Sequence, residues 1–161
     1  KISEAGRGIT INRMKSLFVK KFLLAVLLIA LLMPLQGCSK ATKEREAKDF
    51  ADVFFATIMS EDFLGVTDLC SEDFLEKSSE DEYIKMLKTC SAKLGVLRSY
   101  EFQKCTVRST AASGTYYIMD YKTEYTRYPA VEQLTLYKRK GENEIKILGH
   151  HVSSTGFFEE E

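Results

Sequence analysis

The chain reads as α+β, with helices packed on one face of a four-stranded antiparallel sheet. Three observations carry this. From Ala47 to Leu94 the apolar residues recur at three- and four-residue spacing, the period of a helix with one buried face. From Val96 to Val152 they alternate with polar residues, the period of a strand. The change of period happens once, at Gly95, so the helices come first and the strands follow as a meander.

The first helix is set by Ala47, Phe50, Ala51, Phe54, Phe55 and Ile58. Lys43, Glu44, Glu46, Lys48 and Asp52 take its other side, and it should end near Met59. Next come two similar segments, Ser60-Glu61-Asp62-Phe63-Leu64 and Ser71-Glu72-Asp73-Phe74-Leu75. Short polar side chains followed by acids are helix starts, because the side chain accepts backbone N–H bonds and the acids suit the positive helix end. Two short helical pieces are expected here, with Val66 and Leu69 inward. Ser79-Glu80-Asp81-Glu82 is a capping box. It opens a third main helix whose apolar stripe is Tyr83, Ile84, Leu87, Cys90 and Leu94, and Gly95 supplies the stop.

Val96 to Ser109 is the first strand. Its alternation slips near Gln103-Lys104, which calls for a bulge or bend. Ala111 to Gly114 turns the chain. Thr115 to Tyr125 follows, with Tyr117, Met119, Tyr121 and Tyr125 on one face and Tyr116 and Ile118 on the other. Val131 to Arg139 alternates through Leu134 and Leu136, with Tyr137 also read as inward. Lys140-Gly141-Glu142-Asn143 makes a hairpin turn, and Ile145 to Val152 is the last strand. Residues 154–161 read as an acidic, fraying tail.

Ahead of all this stands a different kind of segment. Lys15, Lys20 and Lys21 precede an apolar run, Phe22 to Met33, and then come Pro34 and Leu35-Gln36-Gly37-Cys38. The run is short of the roughly 20 apolar residues of a membrane span, and Pro34 ends any helix. The order of a basic end, an apolar core and a small-residue site is that of a cleaved signal peptide. It resembles a bacterial lipoprotein signal peptide, with Leu35, Gln36 and Gly37 as the lipobox before Cys38. The resemblance implies cleavage before Cys38, diacylation of the Cys38 thiol and attachment of fatty acyl chains such as palmitate. It also implies a cell-envelope address outside the cytoplasm. In a Gram-negative cell, Ser39 rather than Asp at the next position implies the outer membrane, facing the periplasm. Met14-Lys15-Ser16 reads as the natural start, which makes residues 1–13 an upstream or non-native extension. The expected order is therefore signal peptide 14–37, lipidated tether 38–45, folded domain 46–153 and tail 154–161.

The whole sequence balances 23 basic against 23 acidic residues. The segment up to Gly37 holds six of the basic and one of the acidic ones, so the mature chain carries 17 against 22, a net charge of −5. That argues against nucleic acid, whose binders show a basic footprint. It also argues against recruitment to anionic lipid by charge, so an acyl chain would do the holding, at about 0.8 kcal/mol per buried CH₂.

Lys93-Leu94-Gly95-Val96-Leu97-Arg98-Ser99-Tyr100, the stretch Tyr121 to Tyr125, Glu132-Gln133-Leu134-Thr135-Leu136, and Ile145-Lys146-Ile147-Leu148-Gly149-His150 resemble small bacterial lipoproteins and secreted proteins. Those carry an uncharacterised domain of the nuclear-transport-factor-2-like (cystatin-like cone) fold. The resemblance covers roughly Lys43 to Ser153 and implies that the sheet is curved around a cone. It implies a pocket in that cone, which Phe54, Phe55, Tyr117, Met119, Tyr121, Tyr125 and Tyr137 either line or fill. An open pocket would suit a small apolar or amphipathic ligand. In enzymes of this superfold an interior aspartate serves as general base, which makes Asp120 a weak catalytic candidate. Pairing with Lys122 or an arginine on an exposed face is the alternative for it.

Other chemistry is sparse. His150-His151 is the one histidine pair, and neighbours on a strand point to opposite faces, so no metal site and no cofactor are expected. Export would place Cys70, Cys90 and Cys105 in an oxidising compartment. By helical rise, Cys70 and Cys90 lie about 6 Å apart in level across the Ser78-Ser79 turn, so a Cys70–Cys90 disulfide is expected, with Cys105 left as a buried thiol; the alternative is three free small core residues. The resulting expectation is a membrane-anchored, non-enzymatic binding or interaction module. Its partners would be an envelope protein, a small apolar ligand, or a second copy docked through a sheet-face patch of Tyr116, Ile118, Leu134 and Leu136. The alternatives are a small enzyme using Asp120 and a purely structural envelope protein.

Overall fold

The computed structural model describes residues 35–159, with side chains from Lys40 onward. The apolar run Phe22 to Met33, the side chains of Leu35, Gln36, Gly37 and Cys38, and the last two residues lie outside the described residues. Helix α1 (Leu35–Met59) is followed by α2 (Phe63–Thr67), α3 (Glu72–Leu75) and α4 (Glu80–Leu94). The strands are β1 (Leu97–Thr110), β2 (Gly114–Tyr125), β3 (Pro129–Arg139) and β4 (Lys146–Ser153). They form one antiparallel sheet in the order β1-β2-β3-β4. The expected α+β layout, helices first and then a meander, is the one found. The polar stretch 38–45 is helical and forms the start of α1. Among the described residues no helix is long and apolar enough to cross a membrane.

The three helices after α1 start for a local reason. Asp62 and Ser71 cap α2 and α3 by accepting from the backbone N–H groups of Gly65 and Phe74. Ser79 and Glu82 form the reciprocal capping box that opens α4, satisfying two N–H groups that the helix itself leaves orphaned. At the other end of α4, Gly95 adopts φ +89°, a conformation side chains resist. A Cβ there would meet the Thr126 hydroxyl. Thr126 is in that place because its Oγ1 accepts from the N–H of Val96 at 3.0 Å, while the N–H of Arg127 donates to the carbonyl of Leu94 at 2.9 Å. The β2–β3 turn therefore closes the C-terminal end of α4.

Alternation along the strands decides which residues face the helices. In β2 these are Tyr117, Met119, Tyr121 and Thr123, and in β3 they are Ala130, Glu132, Leu134 and Leu136. The register of β1 against β2 shifts between Phe102 and Lys104, where the alternation slips in the sequence. The shift turns both Phe102 before it and Cys105 and Val107 after it toward the core. Opposite them, α1 contributes Ala47, Ala51, Phe54, Phe55 and Ile58, all buried. The rings interlock: Phe55 stacks on Tyr100 at 4.3 Å and meets Tyr121 edge-on at 4.7 Å. Each such side chain contributes about 1.5–3 kcal/mol by burial, and the edge-on geometry suits the ring quadrupoles.

Between α2 and α3 the chain is stitched to β4. The N–H of Ile147 donates to Leu69 O at 2.9 Å, and the N–H of Ser71 donates to Ile147 O at 2.8 Å, a single parallel bridge at Cys70. After β4, Ser154 donates to the carbonyl of Pro129 at 2.6 Å and caps a 3₁₀ turn, Thr155–Phe157, whose Gly156 lies beneath the Tyr128 ring. The segment read as a fraying tail thus begins with a hydrogen-bonded turn.

Candidate functional site

β3 carries an acid in phase with its apolar residues. Glu132 is on the core face with Ala130, Leu134 and Leu136, and is 1% exposed. The cost of burying a carboxylate is severe unless it is paired and hydrogen-bonded. Its partners come from two other strands, and a helix joins through one of them. A register shift opposite Thr135 and Leu136 sets His150 of β4 across from Leu134, and this turns its imidazole inward, with 1% of the side chain exposed. His150 Nε2 lies 2.9 Å from Glu132 Oε2. Tyr125, at the end of β2, donates its hydroxyl to Glu132 Oε1 at 2.7 Å. Tyr83, in the first turn of α4, places its hydroxyl 3.0 Å from His150 Nδ1.

The directions of these bonds follow from the groups. An ionised carboxylate only accepts, so Nε2 carries the proton it shares with Glu132. With the ring neutral, Nδ1 accepts from the Tyr83 hydroxyl; with the ring charged, Nδ1–H donates to it. Burial acts to raise the pKa of Glu132. The hydrogen bond and charge of His150, with the hydroxyls of Tyr125 and Thr123, outweigh it and hold the carboxyl below its ordinary range. Burial first, then the neighbouring thiol of Cys70 and the carboxylate of Glu132, push the Tyr83 phenol well up. Burial and the carboxylate do the same to Tyr125. Both phenols therefore stay protonated, as the network needs. Phe54 meets the imidazole edge-on at 5.1 Å, and Phe74 meets Tyr83 edge-on at 4.9 Å.

Beside this network is a cavity of about 10 Å³, lined by Ile58, Leu87, Cys90, Leu97, Tyr125 and His150 among others. That is room for about one water. The thiol of Cys90 is pushed up to about 11 by burial and then by the charge of Glu132, so it is not a ready nucleophile. Hydroxyl, imidazole and carboxylate in a row is the order used for nucleophile activation. Here the hydroxyl belongs to a phenol that is 1% exposed, which makes the row a structural relay.

The residues singled out from sequence are distributed differently. Phe54, Phe55, Tyr117, Met119 and Tyr121 are each no more than 1% exposed and fill the space between α1 and the sheet. Tyr125 reaches the carboxylate instead. Tyr137 is on the opposite face, stacked on Tyr116 at 4.7 Å and donating to the carbonyl of Ser113 at 2.6 Å. It is out of phase with Leu136 and so could not share the inward face assigned to it. Asp120 also lies on that outer face. Gln133 donates to it at 2.7 Å and Lys104 pairs with it at 2.9 Å; the two hydrogen bonds hold its carboxyl below the usual range. His151 is exposed, on the face away from His150.

Two expectations need correction. Tyr116, Ile118, Leu134 and Leu136 do not form one patch, because Leu134 and Leu136 are fully buried while Tyr116 and Ile118 pair with Tyr137 and Thr135 on the outer face. Cys70 and Cys90 are free thiols. Cys70 is fastened opposite Ile147, whereas Cys90 shares its cavity with His150 and Val152. The helical offset assumed from sequence fails because α3 is a four-residue turn docked on β4, not a partner antiparallel to α4.

Glu132 and the joint role of Tyr83 and His150 were not read from the sequence. A signal was there: counting back by two from Leu136 and Leu134 lands on Glu132, so an acid occupies an inward position.

No curated protein matches the chain. The sequence model of a family described as "Protein of unknown function (DUF4019)" matches residues 51–149. The match begins in α1 and ends in β4, and takes in Tyr83, Tyr125 and Glu132. The chain belongs to the DUF4019 family.

Proposed function

We infer that this chain is a lipid-anchored cell-envelope protein whose DUF4019 domain works as a non-enzymatic binding or interaction module. The observation that carries the reading is the order Lys15 to Cys38: basic residues, a short apolar run, then Leu35-Gln36-Gly37-Cys38. That order specifies cleavage and acylation at Cys38, and Ser39 behind it favours the outer membrane in a Gram-negative cell. Two acyl chains give durable anchoring where one gives marginal binding. The helices-then-sheet layout fits a nuclear-transport-factor-2-like cone, and the rings of Phe54, Phe55, Tyr117 and Tyr121 occupy the place where such a cone would hold a substrate. A partner must then be met on the outside, by an envelope protein or by a second copy. Asp120 fits poorly as a general base, since a base working near neutrality needs a raised pKa and Lys104 and Gln133 lower it.

The test is expression of the full chain in a bacterial host with an alkyne-tagged fatty acid. Incorporation of the tag into the membrane fraction, abolished by Cys38→Ser, supports the reading. Equal tagging of the variant, or a soluble untagged chain, rejects it. For the outer-membrane address, Ser39→Asp should move the protein to the inner membrane in a Gram-negative host.

A further inference from the structure

We propose that Tyr83, His150, Glu132 and Tyr125 form an acid-released latch that holds helix α4 on the sheet near neutral pH and lets it go in acid. One residue of the four comes from each of α4, β4, β3 and β2. The bonds run in an unbroken row of 3.0, 2.9 and 2.7 Å, so α4 is tied to three strands through one carboxylate.

The acid sensitivity follows from counting donors. With the ring neutral and Glu132 ionised, every polar hydrogen in the row meets an acceptor. With the ring charged, both of its nitrogens donate. Tyr83 must then turn its hydroxyl to accept, which leaves its own proton without an acceptor in the row, on a ring packed edge-on against Phe74. Protonating Glu132 adds a donor where an N–H and an O–H already point, and it removes the counter-charge of a buried imidazolium. An unpaired buried charge is strongly unfavourable.

The other titratable groups facing the row are the thiols of Cys90 on α4 and Cys70 ahead of α3, both held protonated by burial, and Glu61 after α1, which is on the cavity rim and accepts from the Ser91 hydroxyl instead. α1 presents the Phe54 ring to the imidazole. On the solvent side His150 borders a groove with Glu82, Lys85 and His151. Relief comes by admitting water through the neighbouring cavity between α4 and the sheet, and that displaces α4.

The test is hydrogen exchange of the full chain in detergent micelles at pH 6 and pH 3.5, comparing residues 80–94 with residues 114–125 in the same sample. Protection of α4 should fall relative to β2 by at least about tenfold, the order of one hydrogen bond to a charged group. Glu132→Gln should lack that step. If that variant does not fold, Tyr83→Phe should show α4 already loosened at pH 6 and a smaller step. The proposal is overturned if α4 and β2 lose protection together, if α4 keeps its protection at pH 3.5, or if the step survives unchanged in the variants.

Discussion

Glu132 concentrates the energetic risk of this fold in one side chain. It is a fully buried carboxylate that accepts from an imidazole and a phenol. Removing one side of a buried pair costs about 3–5 kcal/mol, so Glu132→Ala should lower stability by that order in urea unfolding. Tyr125→Phe removes one hydrogen bond to a charged group and should cost about 1.5–3 kcal/mol. The sign of the pH effect follows from the lowered pKa of Glu132. Its stabilisation is present above the ordinary value of 4.5 and is lost as pH falls through the folded-state value. Glu132→Gln should therefore flatten the stability profile below about pH 4.5, and an unchanged profile would show that other carboxylates drive acid unfolding. Asp120 carries far less: its pair with Lys104 is near the surface, so Asp120→Asn should shift stability by less than about 1 kcal/mol.

At the scale of elements, much of the fold was legible because local chemistry and tertiary need coincide. The capping box at Ser79 and Glu82, the stripe of α4, the stop at Gly95 and the slip near Gln103-Lys104 all stand in the structure where the sequence marks them. Gly95→Ala forces a side chain into φ +89° against Thr126. It should cost about 1–3 kcal/mol and loosen the end of α4, measurable as a lower midpoint with an unchanged denaturant slope. What stayed hidden depends on register. Tyr137 and the pair Leu134 and Leu136 were misassigned to faces because aromatic and aliphatic residues stand side by side in β3, so hydrophobicity alone gives no phase. The cysteine pairing failed because the parallel bridge at Cys70 and Ile147 links segments distant in sequence. The Tyr83–His150–Glu132 row spans 67 positions between its first two members, and no local spacing rule reaches that far.

For the whole molecule, the proposed address and the domain are written in different parts of the chain. The proposed address is local, in the order of residues from Lys15 to Cys38. The domain spans residues 51–149 by family match, with an interior filled by rings from α1, β1 and β2. On the proposed reading, a filled interior directs partner binding to the surface, where a tethered domain would reach a neighbour in the envelope. The account rests on the tether, and the most direct measurement is intact mass spectrometry of the chain recovered from the membranes of a bacterial host. It should find a protein that starts at Cys38 and carries the mass of a diacylglyceryl group and its acyl chains. A chain that retains residues ahead of Cys38, or an unmodified one recovered in the soluble fraction, would contradict it.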